Sequence, residues 1–325
     1  MELPSSVNRA LAIAGEYQPQ AIERARAAIA LLLGFRAHSE AMAYVDSPLT
    51  MSGFPVEIAF SSADSSFRYT IDPGPMEHGP MARLDDAEVL FARLGSPPLA
   101  TYVIDLVRQF QTGHNLRYGV FIGGRHNEMS DRYKLYLEVP ESAAKAAEKF
   151  ATELLDRPRA LPNRQQRIEM IGVDPYANRI EVYARIEHMM THEISALLWR
   201  ADLMSRQGEL VALLSESYPF SISRELPGSV FGFSYSVPTQ GNGPIAFTLY
   251  TYARTMFGND GNSRKKILEL GRRKGWDFSF YDRLTEPLAT QKDGVTTSHT
   301  MFGVTVVGDA PLGINFGVNP PSEVV

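Results

Sequence analysis

The feature that most constrains this chain is a repeated pair of short strand patterns. Five times, two runs rich in β-branched and aromatic residues stand close together across turn residues, near 56–71, 117–139, 168–186, 230–253 and 301–318. Stretches of helical periodicity precede and separate them, at 7–15, 20–33, 85–94, 99–111, 141–155, 193–204, 209–216 and 263–274. The hairpins return about every 60 residues, the signature of a repeated helix-and-hairpin unit. Within the second pair the strands are expected at 117–123 and 133–139, with the turn at Gly124-Arg125-His126-Asn127. Ten strands in consecutive hairpins make an open sheet or a closed barrel, and closure removes exposed edges. The expected fold class is α+β, a ten-stranded antiparallel β-barrel surrounded by helices, as one domain over residues 1–325.

Side-chain alternation orients the strands. Tyr133, Leu135, Leu137 and Val139 alternate with Arg132, Lys134, Tyr136 and Glu138. Ile180, Val182, Ala184 and Ile186 alternate with Arg179, Glu181, Tyr183 and Arg185. The helices need an apolar surface to pack on, so the greasy faces point outward and the charged, tyrosine-rich faces line the lumen. Most small barrels fill their interior with aliphatic side chains, which makes a polar lumen a narrow class. The expected lumen set is Glu57, Arg68, Lys134, Tyr136, Arg179, Glu181, Tyr183, Arg185, Tyr250 and Tyr252, with Arg117 as a further candidate. A one-faced sheet open to solvent would show the same alternation and stays an alternative at this point.

With 325 residues, 44% hydrophobic and 21% charged, the chain has ample material for a large core. A net charge of −5 argues against nucleic-acid or anionic-membrane partners, so any anion must be met by local positive charge. The absence of cysteine excludes disulfides, thiolate metal sites and cysteine nucleophiles, and fits a cytoplasmic protein. The apolar run 27–33 is too short to span a bilayer. Glu23, Arg24 and Arg26 close before it mark an amphipathic helix, not a signal peptide. His188 and His192 have metal-ligand spacing but lack the glutamate of a zinc-protease helix, and read as surface residues. Of the scattered histidines, His299 is the one expected near a barrel mouth.

Several cations confined in a closed space repel one another unless an anion or carboxylates offset them. Diphosphate fits this demand, because Arg and Lys supply charge-assisted hydrogen bonds to its oxygens. Tyrosines beside them offer π faces to a cation and hydroxyls to phosphate oxygens. The combination suits ionisation of an allylic diphosphate and capture of the cation by an electron-rich ring, with a carboxylate accepting the proton then lost. Glu57 is the candidate carboxylate, although it is also placed to pair with Arg68 across the first hairpin. A non-catalytic barrel binding an anionic or amphipathic small molecule needs the same basic lumen without Glu57.

On these residues the chain resembles the ABBA-type aromatic prenyltransferases, and most of all the cyanobactin peptide prenyltransferases of RiPP biosynthesis. The likeness rests on Glu57-Ile58-Ala59-Phe60 with Phe67-Arg68-Tyr69, on Lys134-Leu135-Tyr136-Leu137, on Arg179-Ile180-Glu181-Val182-Tyr183-Ala184, on Leu249-Tyr250-Thr251-Tyr252 and on His299-Thr300-Met301-Phe302-Gly303-Val304. The resemblance implies a C5 or C10 isoprenoid moved from dimethylallyl or geranyl diphosphate to an aromatic acceptor, including Trp or Tyr of a macrocyclic peptide. It implies that Glu57 positions or deprotonates the acceptor and that Arg68 and Lys134 hold diphosphate, with Arg179 and Arg185 of the basic lumen as further diphosphate-binding candidates. Tyr136, Tyr183, Tyr250 and Tyr252 then shield the cation. No organic cofactor is implied. With no aspartate-rich cluster in the chain, Mg2+ enters only as an auxiliary counter-ion of the diphosphate. Two departures stand out. Relatives often carry a tyrosine where this chain has Ile314-Asn315-Phe316-Gly317, and a basic residue where Ser234 and Ser236 stand. Gly232, Gly303 and Gly317 would leave room in the wall for a longer prenyl chain.

Overall fold

A computed structural model describes residues 3–34, 47–73, 79–218, 221–290 and 298–321. Its ten strands are β1 (Val56–Ser61), β2 (Phe67–Ile71), β3 (Val120–His126), β4 (Asp131–Glu138), β5 (Gln166–Asp174), β6 (Arg179–Glu187), β7 (Val230–Pro238), β8 (Ala246–Tyr252), β9 (His299–Val307) and β10 (Gly313–Val318). Each pairs antiparallel with its sequence neighbours, and β10 closes on β1. Closure resolves the choice between sheet and barrel.

Helices α1 (Ser5–Gly15) and α2 (Pro19–Leu33) precede the first hairpin. Then α3 (Arg83–Arg93) and α4 (Thr101–Gln111) precede the second, and α5 (Ala144–Leu155) the third. Before the fourth stand α6 (Glu193–Arg200) and α7 (Gln207–Ser217). The short helices α8 (Ala253–Phe257) and α10 (Ser279–Leu284), which strand and helix patterning did not reveal, flank α9 (Asp260–Lys274) before the fifth. The Asn259 side chain caps α9 by accepting the Asn262 N–H, and the run Arg272-Arg273-Lys274 lies against its negative end.

Burial alternates along β1, β2, β6 and β8 as the sequence alternates. Ile58, Leu135, Val182, Leu249 and Val304 are fully buried, in one core with Val107, Ala147, Leu197 and Ile267 of the helices. The polar face keeps partial exposure because it borders the lumen. At about 25 cal/mol per Å2 of apolar surface, the outer layer supplies the main driving force, leaving the inner face free for chemistry.

The second hairpin corrects the expectation. β3 runs on through His126, the turn falls at 127–130, and Arg117 lies outside the strand, exposed. Gly123-Gly124 looks like a turn signal, but these glycines mark close approach within a strand. A methyl at Gly124 would overlap the Tyr69 ring, and one at Gly123 would sit 3.0 Å from Tyr136. The segment before β3 is tied down by Glu138, whose carboxylate accepts the backbone N–H groups of Arg117, Tyr118 and Gly119 at 2.7–3.0 Å. Gly119 has φ +71°, and the Pro80 carbonyl occupies the place where a side chain would begin.

Two buried histidines serve the wall and not the lumen. His299 is 1% exposed, with Nδ1 2.6 Å from Asp260 and Nε2 2.8 Å from the Tyr281 hydroxyl, so it is not a mouth residue. His126 makes a parallel set with Asp131 at 2.9 Å and Tyr69 at 3.0 Å. Among the described residues, no helix is long and apolar enough to cross a membrane.

Candidate active site

Three strands, β4, β6 and β8, bring together a basic and aromatic cluster in the lumen. Lys134 Nζ donates to the Tyr183 hydroxyl at 3.1 Å and pairs with Glu181, to which Tyr183 donates its own proton. The ammonium stands 4.7 Å from the Tyr136 ring centre and 5.7 Å from that of Tyr183. The rings run on as an arc: Tyr136 to Tyr183 is 5.9 Å at 65°, and Tyr183 to Tyr250 is 6.4 Å at 59°. Burial, reinforced by the Glu181 charge, holds the Tyr183 phenol protonated far above its usual range, and burial does the same for Tyr250. Both are therefore hydroxyl donors at any working pH.

Glycines of neighbouring strands seat these rings. A methyl at Gly172 would meet Lys134 at 3.0 Å and Tyr183 at 3.1 Å, and one at Gly232 would overlap Tyr250. One at Gly317 would overlap Glu57 and Thr300. The expectation that Gly232, Gly303 and Gly317 open the wall to a longer chain meets a different arrangement, because the space over each is filled by an existing side chain.

Glu57 faces the lumen from β1, opposite Thr70 of β2. It accepts the Thr300 hydroxyl, and burial pushes its carboxyl up to about 7 despite that hydrogen bond. The cross-hairpin pair with Arg68 does not form. Arg68 lies opposite Ala59 and turns to Asp64, which also takes Arg125 at 2.7 Å. Arg125 is a lumen cation that the misplaced turn concealed; its register opposite Arg68 was the missing signal.

Arg179 lies at the hairpin end of β6, donating to Ser236 Oγ at 2.8 Å and to the Pro244 carbonyl at 2.8 Å. Arg185 is six residues further along the same strand, roughly 20 Å away at strand rise, with its side chain 39% exposed. The two cannot grip one diphosphate. Tyr252 is 39% exposed at the end of β8, outside the aromatic arc. The structure thus gathers Lys134, Tyr136, Tyr183 and Tyr250, puts Arg68, Arg125 and Arg179 at the hairpin mouth, and leaves Arg185 and Tyr252 at the far rim. Phe121, facing inward opposite Tyr136, stacks on Tyr118 with centres 4.1 Å apart at 7°, an aromatic plate that strand alternation alone did not single out.

The sequence departures resolve as well. Phe316 packs outward against Phe60, Phe278 and Tyr281, while Asn315 donates to Thr305. Among the described residues no three His, Asp or Glu side chains converge as a metal site. Glu57 and Glu181 have separate partners. Two surface clefts, of about 470 and 450 Å3, lie beside α8–α9 and α5, outside the barrel.

A helix-enclosed ten-stranded barrel with this polar lumen defines the ABBA, or prenyltransferase-barrel, fold class. Among solved structures, the chain is similar to prenyltransferase PriB in its apo form, with TM-score 0.77 and 18% identity over 100% of both chains. It is also similar to 6-dimethylallyltryptophan synthase from Micromonospora olivasterospora, solved in complex with DMASPP and Trp. That match has TM-score 0.75 and 20% identity over 98% of this chain and 97% of that one. The 5-dimethylallyl tryptophan synthase from Streptomyces coelicolor, in complex with DMASPP and Trp, matches at TM-score 0.76 and 16% identity over 99% and 97%. No family model and no curated protein sequence matches the chain.

Proposed function

We propose that residues 1–325 act as one prenyltransferase barrel that moves an isoprenoid from an allylic diphosphate to an electron-rich aromatic acceptor. The observation that carries this reading is the Tyr136–Tyr183–Tyr250 arc beside Lys134, in the same lumen as a carboxyl held near neutrality. In this reading Lys134, with Arg68, Arg125 and Arg179 towards the hairpin mouth, holds the diphosphate. The C–O bond to the allyl carbon breaks and its electron pair leaves with the diphosphate. The tyrosine faces then stabilise the cation and keep water from it. An aromatic carbon attacks, and Glu57 accepts the proton as aromaticity returns. Arg185 and Tyr252, at the far rim, would meet the acceptor and not the donor.

The reading extends to dimethylallyl diphosphate as donor, which the solved structures' DMASPP complexes support by likeness of fold. Free tryptophan or a Trp or Tyr side chain in a macrocyclic peptide is the acceptor class, and the Tyr118–Phe121 plate suits a planar ring. Geranyl diphosphate, a RiPP substrate and a cytoplasmic location belong to the same proposal. The test incubates purified protein with dimethylallyl or geranyl diphosphate, with and without magnesium. Tryptophan, indoles, phenols and cyclic peptides are offered as acceptors, and the products are read by mass spectrometry. A gain of one isoprenoid unit on an acceptor supports the reading. Folded protein that makes no product and binds no donor overturns it.

A further inference from the structure

The diphosphate subsite carries an acid of its own. Glu181 lies between Lys134 and Arg179. Its carboxylate takes Lys134 and the Tyr183 hydroxyl on one side and the Ser236 hydroxyl on the other. Ser236 in turn accepts from Arg179 at 2.8 Å. Lys134 and Glu181 side chains are only 18% and 17% exposed, so little water screens the pair. The Lys134 ammonium is therefore already answered by a carboxylate of the protein itself. At this end of the lumen Arg68, Arg125, Arg132, Lys134 and Arg179 meet Asp64, Asp174 and Glu181, which leaves two net positive charges, fewer than the negative charges of a fully ionised diphosphate ester. A diphosphate ester brings more than one negative charge. Placed within reach of Lys134, it would share a closed site with the Glu181 carboxylate, and two like charges at such range cannot both stay ionised.

Resting on the prenyl-transfer reading, we propose that Glu181 is a built-in counter-ion which the donor displaces, so that diphosphate binding to Lys134 is coupled to uptake of one proton by Glu181. The proton leaves a solvent or buffer acid and bonds to a Glu181 carboxylate oxygen, no bond of the donor breaks, and Lys134 passes from carboxylate to phosphate oxygen. In the empty barrel Glu181 holds Lys134 and Tyr183 in place and keeps a bare ammonium from the tyrosine faces. In the loaded barrel the protonated acid is a hydrogen-bond donor towards the phosphate. The groups facing it are Lys134 and Tyr136 of β4, Asp174 of β5, Arg179 and Tyr183 of β6, Ser236 of β7 and Tyr250 of β8. Burial acts to raise the free carboxyl, yet Lys134 and the hydrogen bonds more than offset it and hold it below the usual range. The proton must therefore arrive with the ligand.

The experiment is calorimetric titration of the full chain with dimethylallyl S-thiolodiphosphate at pH 7.5–8.5, in buffers of different ionisation enthalpy. Glu57→Gln is the background, which removes the other titrating lumen carboxyl. Uptake of about one proton per donor, with affinity falling about tenfold per pH unit, is expected on this background. Adding Glu181→Gln, which still accepts from Lys134, should abolish the uptake, flatten the pH dependence and tighten binding about tenfold or more at pH 8. Binding without proton uptake, or uptake unchanged by Glu181→Gln, overturns the counter-ion role and leaves the prenyl-transfer reading standing. Absence of any donor binding to folded wild-type protein overturns both. Should Glu181→Gln fail to fold, the uptake measured on the Glu57→Gln background alone still decides.

Discussion

Replacing Glu57 with glutamine should make the protein more stable and less active at once. The carboxyl is pushed by burial from 4.5 to about 7, so ionising it in the folded barrel costs about 3 kcal/mol relative to the unfolded chain. The folded state holds this proton to higher pH than the unfolded state does. Its contribution to stability is therefore full below about pH 4.5 and lost as pH rises to 7. Glutamine keeps an acceptor for Thr300 and never ionises, so E57Q should gain up to about 3 kcal/mol over wild type at pH 8, and nothing at pH 4.5. That gain appears as a thermal midpoint raised by a few degrees at the higher pH only. Turnover should move the other way. A general base contributes about 10²–10⁴-fold, so kcat should fall at least about a hundredfold while donor affinity is retained. With the donor saturating, wild-type kcat should climb with pH, about tenfold per unit below 7, and then level off. Paired unfolding curves at two pH values and timed product formation test all of this. A stability gain equal at both pH values, or activity within a few-fold of wild type, would refute the assignment of a strained, proton-accepting carboxylate.

Other perturbations probe the frame around that residue. Gly232→Ala sets a methyl into the Tyr250 ring, and should cost about 1–3 kcal/mol in urea unfolding and lower kcat more than donor affinity, by displacing one end of the aromatic arc. Glu138→Ala strips three backbone N–H groups of their acceptor and should cost about 3 kcal/mol, with Glu138→Gln milder, both read as urea midpoints. Lys134→Met leaves the Glu181 charge without its ammonium and should cost about 2–4 kcal/mol. Adding Glu181→Met to Lys134→Met should recover most of that loss; a double variant as unstable as the single one would show that the pair is not coupled.

The fold was legible because the barrel uses one rule throughout. A period of two along β1, β2, β6 and β8, with one face apolar, demands an apolar partner outside and leaves the polar face a single place to go. Residues 179–187 show this best, with burial alternating strictly under the run Arg-Ile-Glu-Val-Tyr-Ala-Arg-Ile-Glu. The failures came where glycine stood. The run Gly124-Arg125-His126-Asn127 reads as a turn because glycine permits one, yet Gly123 and Gly124 serve here to let Tyr136 and Tyr69 lie against a strand. That need arises from residues ten and more positions away in sequence, which no local pattern contains. Arg125 was lost with it.

The same long-range dependence explains why the site was legible by residue type but not by partner. Alternation sends Lys134, Glu181 and Tyr183 inward without saying which will touch. Whether Lys134 waits as a free cation or sits in an ion pair depends on the register of β4, β5 and β6 together, and here Gly172 lies between Lys134 and Glu181 and allows them to meet. Likewise the sequence offers Arg68 as a cross-hairpin partner for Glu57, but a two-residue offset in the β1–β2 register gives it to Asp64. Among the described residues Glu57 keeps the Thr300 hydroxyl and pairs with no cation, so burial lifts its carboxyl to about 7 with only that hydrogen bond opposing it. In a closed barrel, then, the reactivity of an inward carboxyl is decided by the neighbour that register denies it, as much as by the residues that sequence places on the same face.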